Sequence, residues 1–259
     1  MFFQQSETTR NLMSEEKENI QFELTDELIE QVEQLIETKN DKELQQLLKG
    51  FHYADIAEIL DEVNLEEAMY VIKLLDSETT SDVLMELDED NREKVLKNLS
   101  AKEIAEEIEE LDTDDAADII AELPEERQQE VISQILDEEH KAEITELLAY
   151  DEDTAGGLMA KELVKVFETW TVAGCLRRIR GQAKDVRRVH SIYVVNKQNK
   201  LIGRLSLKDL IVAKSDQKIA DIYIKSVDYV KVDEDVEEVA RVMQKYDLEA
   251  IPVVDEDMV

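Results

Sequence analysis

Thr154-Ala155-Gly156-Gly157-Leu158-Met159 separates two stretches of different character. It holds two of only six glycines in 259 residues, and glycine lets a backbone turn or approach a neighbour with no Cβ in the way. Before it the sequence is acidic with a helical period. After it β-branched residues gather in short runs. A domain boundary therefore falls near residue 150.

Upstream, Val63, Leu75, Leu87, Leu99, Leu111 and Leu123 recur every twelve residues, followed after small slips by Leu136 and Leu148. Turn or cap residues stand behind most of these anchors: Asp76, Asp88, Ser100, Asp112, Pro124 and Asp137. A unit of roughly nine helical residues and a three-residue turn predicts a superhelical, solenoid-like stack, with an ordinary helical bundle as the alternative. Ahead of the repeat, Leu28, Ile29, Val32, Leu35 and Ile36 sit at helical spacing, and 24–48 reads as one helix. Residues 1–23 are polar and read as a flexible end.

Downstream, Val164-Lys165-Val166, Ile192-Tyr193-Val194-Val195 and 201–205 read as strands, and 172–179 and 207–213 as helices. The order begins again with a strand at Val230-Lys231-Val232, a helix over 236–243 and a strand over 251–255. The second copy is expected to be incomplete, stopping short of its last strand and helix. The expected fold class is α + α/β: a helical domain over 24–150, then two α/β units over 151–225 and 226–259.

Sixty-four Asp and Glu stand against 30 Lys and Arg, a formal charge of −34. A field of that sign repels phosphate backbones, so nucleic acid is not an expected partner. A solvated acidic surface is the ordinary reading of any one carboxylate, yet clustered carboxylates repel one another and a hard cation would relieve them. The single Cys175 closes no disulfide within the chain, and no leader pattern opens it, which points to an intracellular protein. No run of 18 apolar residues occurs. His52, His140 and His190 are scattered, and no zinc spacing or phosphate-cradling glycine loop is present, so no enzyme activity is expected. Trp170, Tyr193, Met69, Met85 and Met243 read as core or interface residues.

The tandem unit, with Asn196 ending a strand and Gly203, Ser206 and Asp209 in the turn that follows, resembles a CBS domain pair. Joined to the acidic helical repeat and the linker at 154–159, and with Tyr246-Asp247-Leu-Glu-Ala-Ile-Pro252-Val-Val-Asp255, it is similar to the cytosolic region of MgtE-family magnesium channels or transporters. That resemblance implies a homodimer paired through CBS domains, a transmembrane pore domain C-terminal to this region, and a place at the cytoplasmic face of the cell membrane. It further implies Mg²⁺ sensing, with the cation bridging the helical and CBS domains in a compact, closed-pore state. The implied metal residues are Asp82, Asp114, Asp118, Asp235, Glu237 and Asp247. Asp82 stands where the family carries a longer Glu, and a contact through water is expected there. In the first CBS turn, Ser206 and Asp209 would hold a ribose and Lys208 would meet phosphates, beside Ile251 and Pro252, giving a site for ATP or another adenine nucleotide. Helix capping accounts for Ser206 and for the acids opening the helices as well. The competing function is a soluble nucleotide-sensing or scaffold protein without a pore.

Overall fold

The computed structural model describes residues 22–182, 189 and 191–259; His190 and the polar start of the chain lie outside them. Two compact units divide at Leu75 and Asp76. The first holds α1 (Asp26–Glu37), α2 (Asp41–Leu48), α3 (Tyr53–Glu62) and α4 (Leu65–Ile72). Where the periodicity predicts one helix over 24–48, the chain breaks into α1 and α2. Lys39 adopts φ 51, its amide donates to Ile36 O, and Asn40 N donates to Leu35 O at 2.9 Å, closing α1. Val32, Leu35, Leu44, Leu48, Ile56 and Ile59 are buried in this unit.

The second unit continues with α5 (Ser77–Glu86), α6 (Glu89–Asn98), α7 (Ala101–Ile108), α8 (Thr113–Ala121), α9 (Glu125–Gln134) and α10 (Glu138–Leu147). All six cap residues picked from the sequence occupy N-cap positions. Ser100 and Glu103 form a reciprocal capping box, and Asp76 accepts from Thr79 N at 3.1 Å. Helices pack on the next but one: α5 on α7, α7 on α9, and α8 on α10, a two-layered superhelical stack. The twelve-residue rule is stricter than the leucines suggest. After Leu123 the buried anchors are Ile135 and Leu147, both 2% exposed, while Leu136 is 82% exposed. Leu136 is an extra turn residue, and Asp137 restarts the chain one position late by capping α10 through Glu139 N and His140 N.

Beyond the linker come β1 (Val164–Phe167), α11 (Val172–Gln182), β2 (Ile192–Val195), β3 (Leu201–Leu205) and α12 (Leu207–Val212), then β4 (Val230–Lys231), α13 (Val236–Tyr246) and β5 (Val253–Val254). β1 runs parallel to β2, β2 antiparallel to β3, and β4 parallel to β5. Val164, Val166, Ile192, Val194 and Leu205 alternate inward onto Val172, Cys175 and Ile179 of α11. The same asparagine-type turn follows β2 in the first copy and β5 in the second. Asn196 Oδ1 accepts from Gln198 N and Lys200 N; Asp255 Oδ1 accepts from Asp257 N and Val259 N; Asn199 and Met258 take the left-handed conformation.

The leading segments of the two copies cross. Before copy one, Ala155 N donates to Glu234 O (2.8 Å), Gly156 N to Val232 O (2.8 Å), and Asp153 O accepts from Val236 N (3.0 Å). Before copy two, Ile219 N donates to Trp170 O (2.9 Å), Ala220 N to Glu168 O (3.0 Å), and Gln217 O accepts from Val172 N (2.9 Å). Each copy is thus edged by the segment that introduces the other. No described glycine has positive φ, so the Gly156-Gly157 pair serves close approach. A Cβ on Gly156 would stand 2.7 Å from the Tyr150 ring and 2.9 Å from Val232 O.

Candidate functional site

Two sites emerge, an acidic face on α8 and a cationic cleft in the first α/β copy. On α8, Asp114, Asp118 and the C-cap Glu122 fall at i, i+4 and i+8, on one face. Partial desolvation first, then Asp114, Glu122 and Glu152, push the Asp118 carboxyl above the usual carboxylate range; Arg92 opposes them. Arg92 is committed to one end of that face. Its Nε meets both Glu122 oxygens at 3.0 Å, its Nη2 meets Oε1 at 2.5 Å, and Nη1 reaches Met85 O and Leu87 O. Glu122 is therefore paired, and Asp114 and Asp118 are left short of positive charge.

The N-terminus of α8 is held from beyond the linker. Thr113, fully buried, donates to the Glu162 carboxylate through its amide (3.1 Å) and hydroxyl (2.9 Å), and its oxygen accepts from Lys161 N (2.9 Å). Glu152, five residues past α10, adds its charge to those acting on Asp118, and the next residue, Asp153, accepts from Val236 N at the start of α13. The linker thus runs from the α8 face to the first turn of α13, where Asp235 and Glu237 stand exposed.

Of the six expected metal residues, the structure brings Asp114 and Asp118 together and places Asp235 and Glu237 beside each other at the far end of that linker contact. Asp235 also caps α13, accepting from Glu237 N at 2.9 Å. Asp247 closes the opposite end of this 11-residue helix in the left-handed conformation, about 18 Å away along the axis, too far to share an ion with Asp235. Asp82 is half-buried in α5. Among the described residues no three His, Cys, Asp or Glu side chains converge as a preformed cation cage requires. The donors suit Mg²⁺ in kind, being carboxylate oxygens on partly exposed surface where the ion keeps several waters. Glu122, Glu152 and Arg92 escape a reading by motif, although the i, i+4, i+8 spacing of Asp114, Asp118 and Glu122 is visible in the sequence.

The second site is a cleft of about 590 Å³ at the β3–α12 turn, and Ser206, Lys208 and Asp209 all line it. Ser206 is the N-cap of α12 but makes no side-chain capping bond, so its hydroxyl is not spent on the helix. The apolar wall differs from expectation. Ile251 and Pro252 are not among the described lining residues; Ile192, Leu205 and Ile224 are. Gly203 explains Ile224, because a Cβ there would lie 2.3 Å from Ile224 O. Without one, the segment after copy one lies on β3, with Arg204 N and Ile224 N exchanging backbone bonds at 3.0 and 2.9 Å. Ser191 and Arg204, also in the cleft, are not anticipated by the turn motif.

The two described histidines carry no such geometry: His52 caps α3 through Nδ1, and His140 lies in the first turn of α10. Cys175 is buried, its thiol pushed up to about 11 by desolvation, and Trp170 packs between Phe167 and Arg178.

A superhelical N domain joined through a crossing linker to a tandem of CBS units is the class that these features define. Residues 51–153 match the MgtE intracellular N domain, and 155–216 and 219–259 match the CBS domain. The chain belongs to the MgtE family. It is 49% identical over 111 residues to the magnesium transporter MgtE of Thermus thermophilus and 40% identical over 112 residues to that of Enterococcus faecalis. Each match covers 43% of this chain and 25% of the relative, so the chain aligns with about a quarter of the curated relatives' length. A solved cytosolic domain of the Mg²⁺ channel MgtE in complex with ATP superposes with TM-score 0.82 at 36% identity, covering 89% of this chain and 94% of that one. The soluble part of a magnesium transporter superposes with TM-score 0.78 at 29% identity over 90% and 91%. No helix among the described residues is long and apolar enough to cross a membrane.

Proposed function

We propose that this chain is the cytosolic, magnesium-sensing regulatory region of a magnesium channel or transporter, without enzymatic activity. The observation that carries the reading is the charge balance on α8: Asp114, Glu122 and Glu152 all raise the Asp118 carboxyl, while Arg92, the cation that opposes them, is forked onto Glu122. A bound Mg²⁺ supplies the missing positive charge. Asp114 and Asp118 would hold it on the helical side, with Asp82 reached through water, and Asp235, Glu237 and Asp247 would present oxygens from the second CBS copy at separate points. Holding α8 against the linker and α13 favours the compact form. In a homodimer paired through CBS domains and connected to a transmembrane pore, that form biases the pore toward closed, by the cation's differential affinity for the two states. The cleft at Ser206, Lys208 and Asp209 would take ATP or another adenine nucleotide, a reading supported by the spare Ser206 hydroxyl and by the ATP complex of the related cytosolic domain.

The test is thermal unfolding with and without Mg²⁺. A cation at ten times its dissociation constant adds RT ln 11, about 1.4 kcal/mol, when it binds only the folded state. Sodium chloride at equal ionic strength is expected to give clearly less, and Asp114→Asn with Asp118→Asn to remove most of the difference. Equal effects of the two salts would reduce the reading to charge screening.

A further inference from the structure

We propose that Arg204 makes the first CBS cleft selective for the number of phosphates on its ligand. This rests on the nucleotide reading of that cleft and adds a residue and a rank order to it. In a chain of charge −34, an anion approaches against the overall field, and a cleft that accepts one needs local cations. Arg204 and Lys208 supply two against the single Asp209 among the described lining residues. Both are exposed, and neither forms an ion pair with a described carboxylate. A further carboxylate would have been easy to supply in this sequence, so a cleft that keeps two cations against one carboxylate points to an anionic ligand.

The two cations are not equivalent. Lys208 lies in the first turn of α12, between Ser206 and Asp209, the two residues suited to ribose hydroxyls, and so belongs with the phosphate next to the sugar. Arg204 lies on β3. Gly203 and Leu205 turn into the core and Arg204 turns to the other face, where the backbone exchange with Ile224 fixes its Cα. Its five-donor fork is matched to phosphate oxygens, and reaching from the neighbouring strand it meets a more distal phosphate. The cleft should therefore rank nucleoside triphosphate above diphosphate, and both above monophosphate and adenosine.

The experiment is calorimetric titration of the 259-residue chain with ATP, ADP, AMP and adenosine, on wild type, Arg204→Met, Arg204→Lys and the exposed control Arg241→Met. Arg204→Met is expected to weaken ATP by about tenfold, the scale of one charge-assisted bond, while AMP and adenosine change by less than about twofold. Arg204→Lys should recover part of the loss, and Arg241→Met should change nothing. An ATP-to-AMP affinity ratio equal in wild type and Arg204→Met overturns the role of Arg204 and leaves the nucleotide site standing. Equal losses in Arg204→Met and Arg241→Met also overturn it, in favour of the general field. Absence of ATP binding to wild type overturns the nucleotide reading and this inference together. Unchanged AMP affinity in Arg204→Met shows at the same time that the variant is folded.

Discussion

Glu162 caps a helix that begins 49 positions earlier, taking both the amide and the hydroxyl of buried Thr113 on its two carboxylate oxygens at 3.1 and 2.9 Å. A carboxylate at a helix N-terminus satisfies an orphan donor and meets the positive end of the helix dipole. Here the helix is α8, whose face carries Asp114 and Asp118.

Glu162→Ala is therefore expected to cost about 1–2 kcal/mol in urea unfolding, the range of a lost cap with a buried donor left over. Glu162→Gln, which keeps an acceptor, should lose less. If alanine and glutamine variants match wild type, the contact contributes nothing to stability.

At the other end of the acidic face, Asp118→Asn removes a like charge from the Asp114–Asp118–Glu122 row. Without Mg²⁺ the variant should be slightly more stable than wild type, by about 0.3 kcal/mol, and the gain should shrink in high salt. A loss of stability in low salt would mean that the ionised carboxylate is held by a favourable partner.

Glu107 gives a pH signature. Burial pushes its carboxyl up to about 7 despite the bond donated by Ser77, and its Oε2 is buried with no hydrogen-bond partner. Because the folded state holds this proton more tightly than the unfolded chain, stability is greatest below the ordinary carboxylate pKa and falls as pH rises toward about 7. Glu107→Gln should remove that slope. Relative to wild type it should be more stable at pH 8, by on the order of 1–2 kcal/mol, and little changed at pH 5. Parallel pH profiles would rule out Glu107 as the origin.

The repeat register is tested by a neighbouring pair. Ile135→Ala should cost about 2–4 kcal/mol as a core truncation, whereas Leu136→Lys should fall within about 0.5 kcal/mol of wild type. The opposite order would return the anchor to Leu136.

Much of the fold is readable in the sequence because capping and burial leave chemical marks. Asp76, Asp88, Ser100, Asp112, Pro124 and Asp137 declare helix starts, and the β-branched runs declare β1, β2 and β5. The break between α1 and α2 leaves only Asn40, the N-cap of α2, since Lys39, which turns the chain, has no special liking for the left-handed region. Leu136 misleads because it is as apolar as Ile135 and stands one place away. At the acidic site, Asp114 and Asp118 are legible from their spacing, but Glu152 arrives from another segment. In the cleft, Ser206, Lys208 and Asp209 follow from the turn pattern. Ile224 does not, because it arrives through backbone bonds across Gly203, which no side-chain pattern encodes.

The crossed leading segments mean that the order of the sequence is not the order in which a displacement travels. Asp153 and Ala155, the first residues after the helical stack, are bonded to Val236 and Glu234, so a shift of α8 and its linker is delivered to the first turn of α13. The intervening copy is held from the same helix, through Thr113 and the Glu162 that stands two residues before β1, and its own helix is moored to Gln217, on the segment that leads out of it. A variant that loosens the contact at α8 is therefore expected to lower amide protection at the start of α13 as well as at β1.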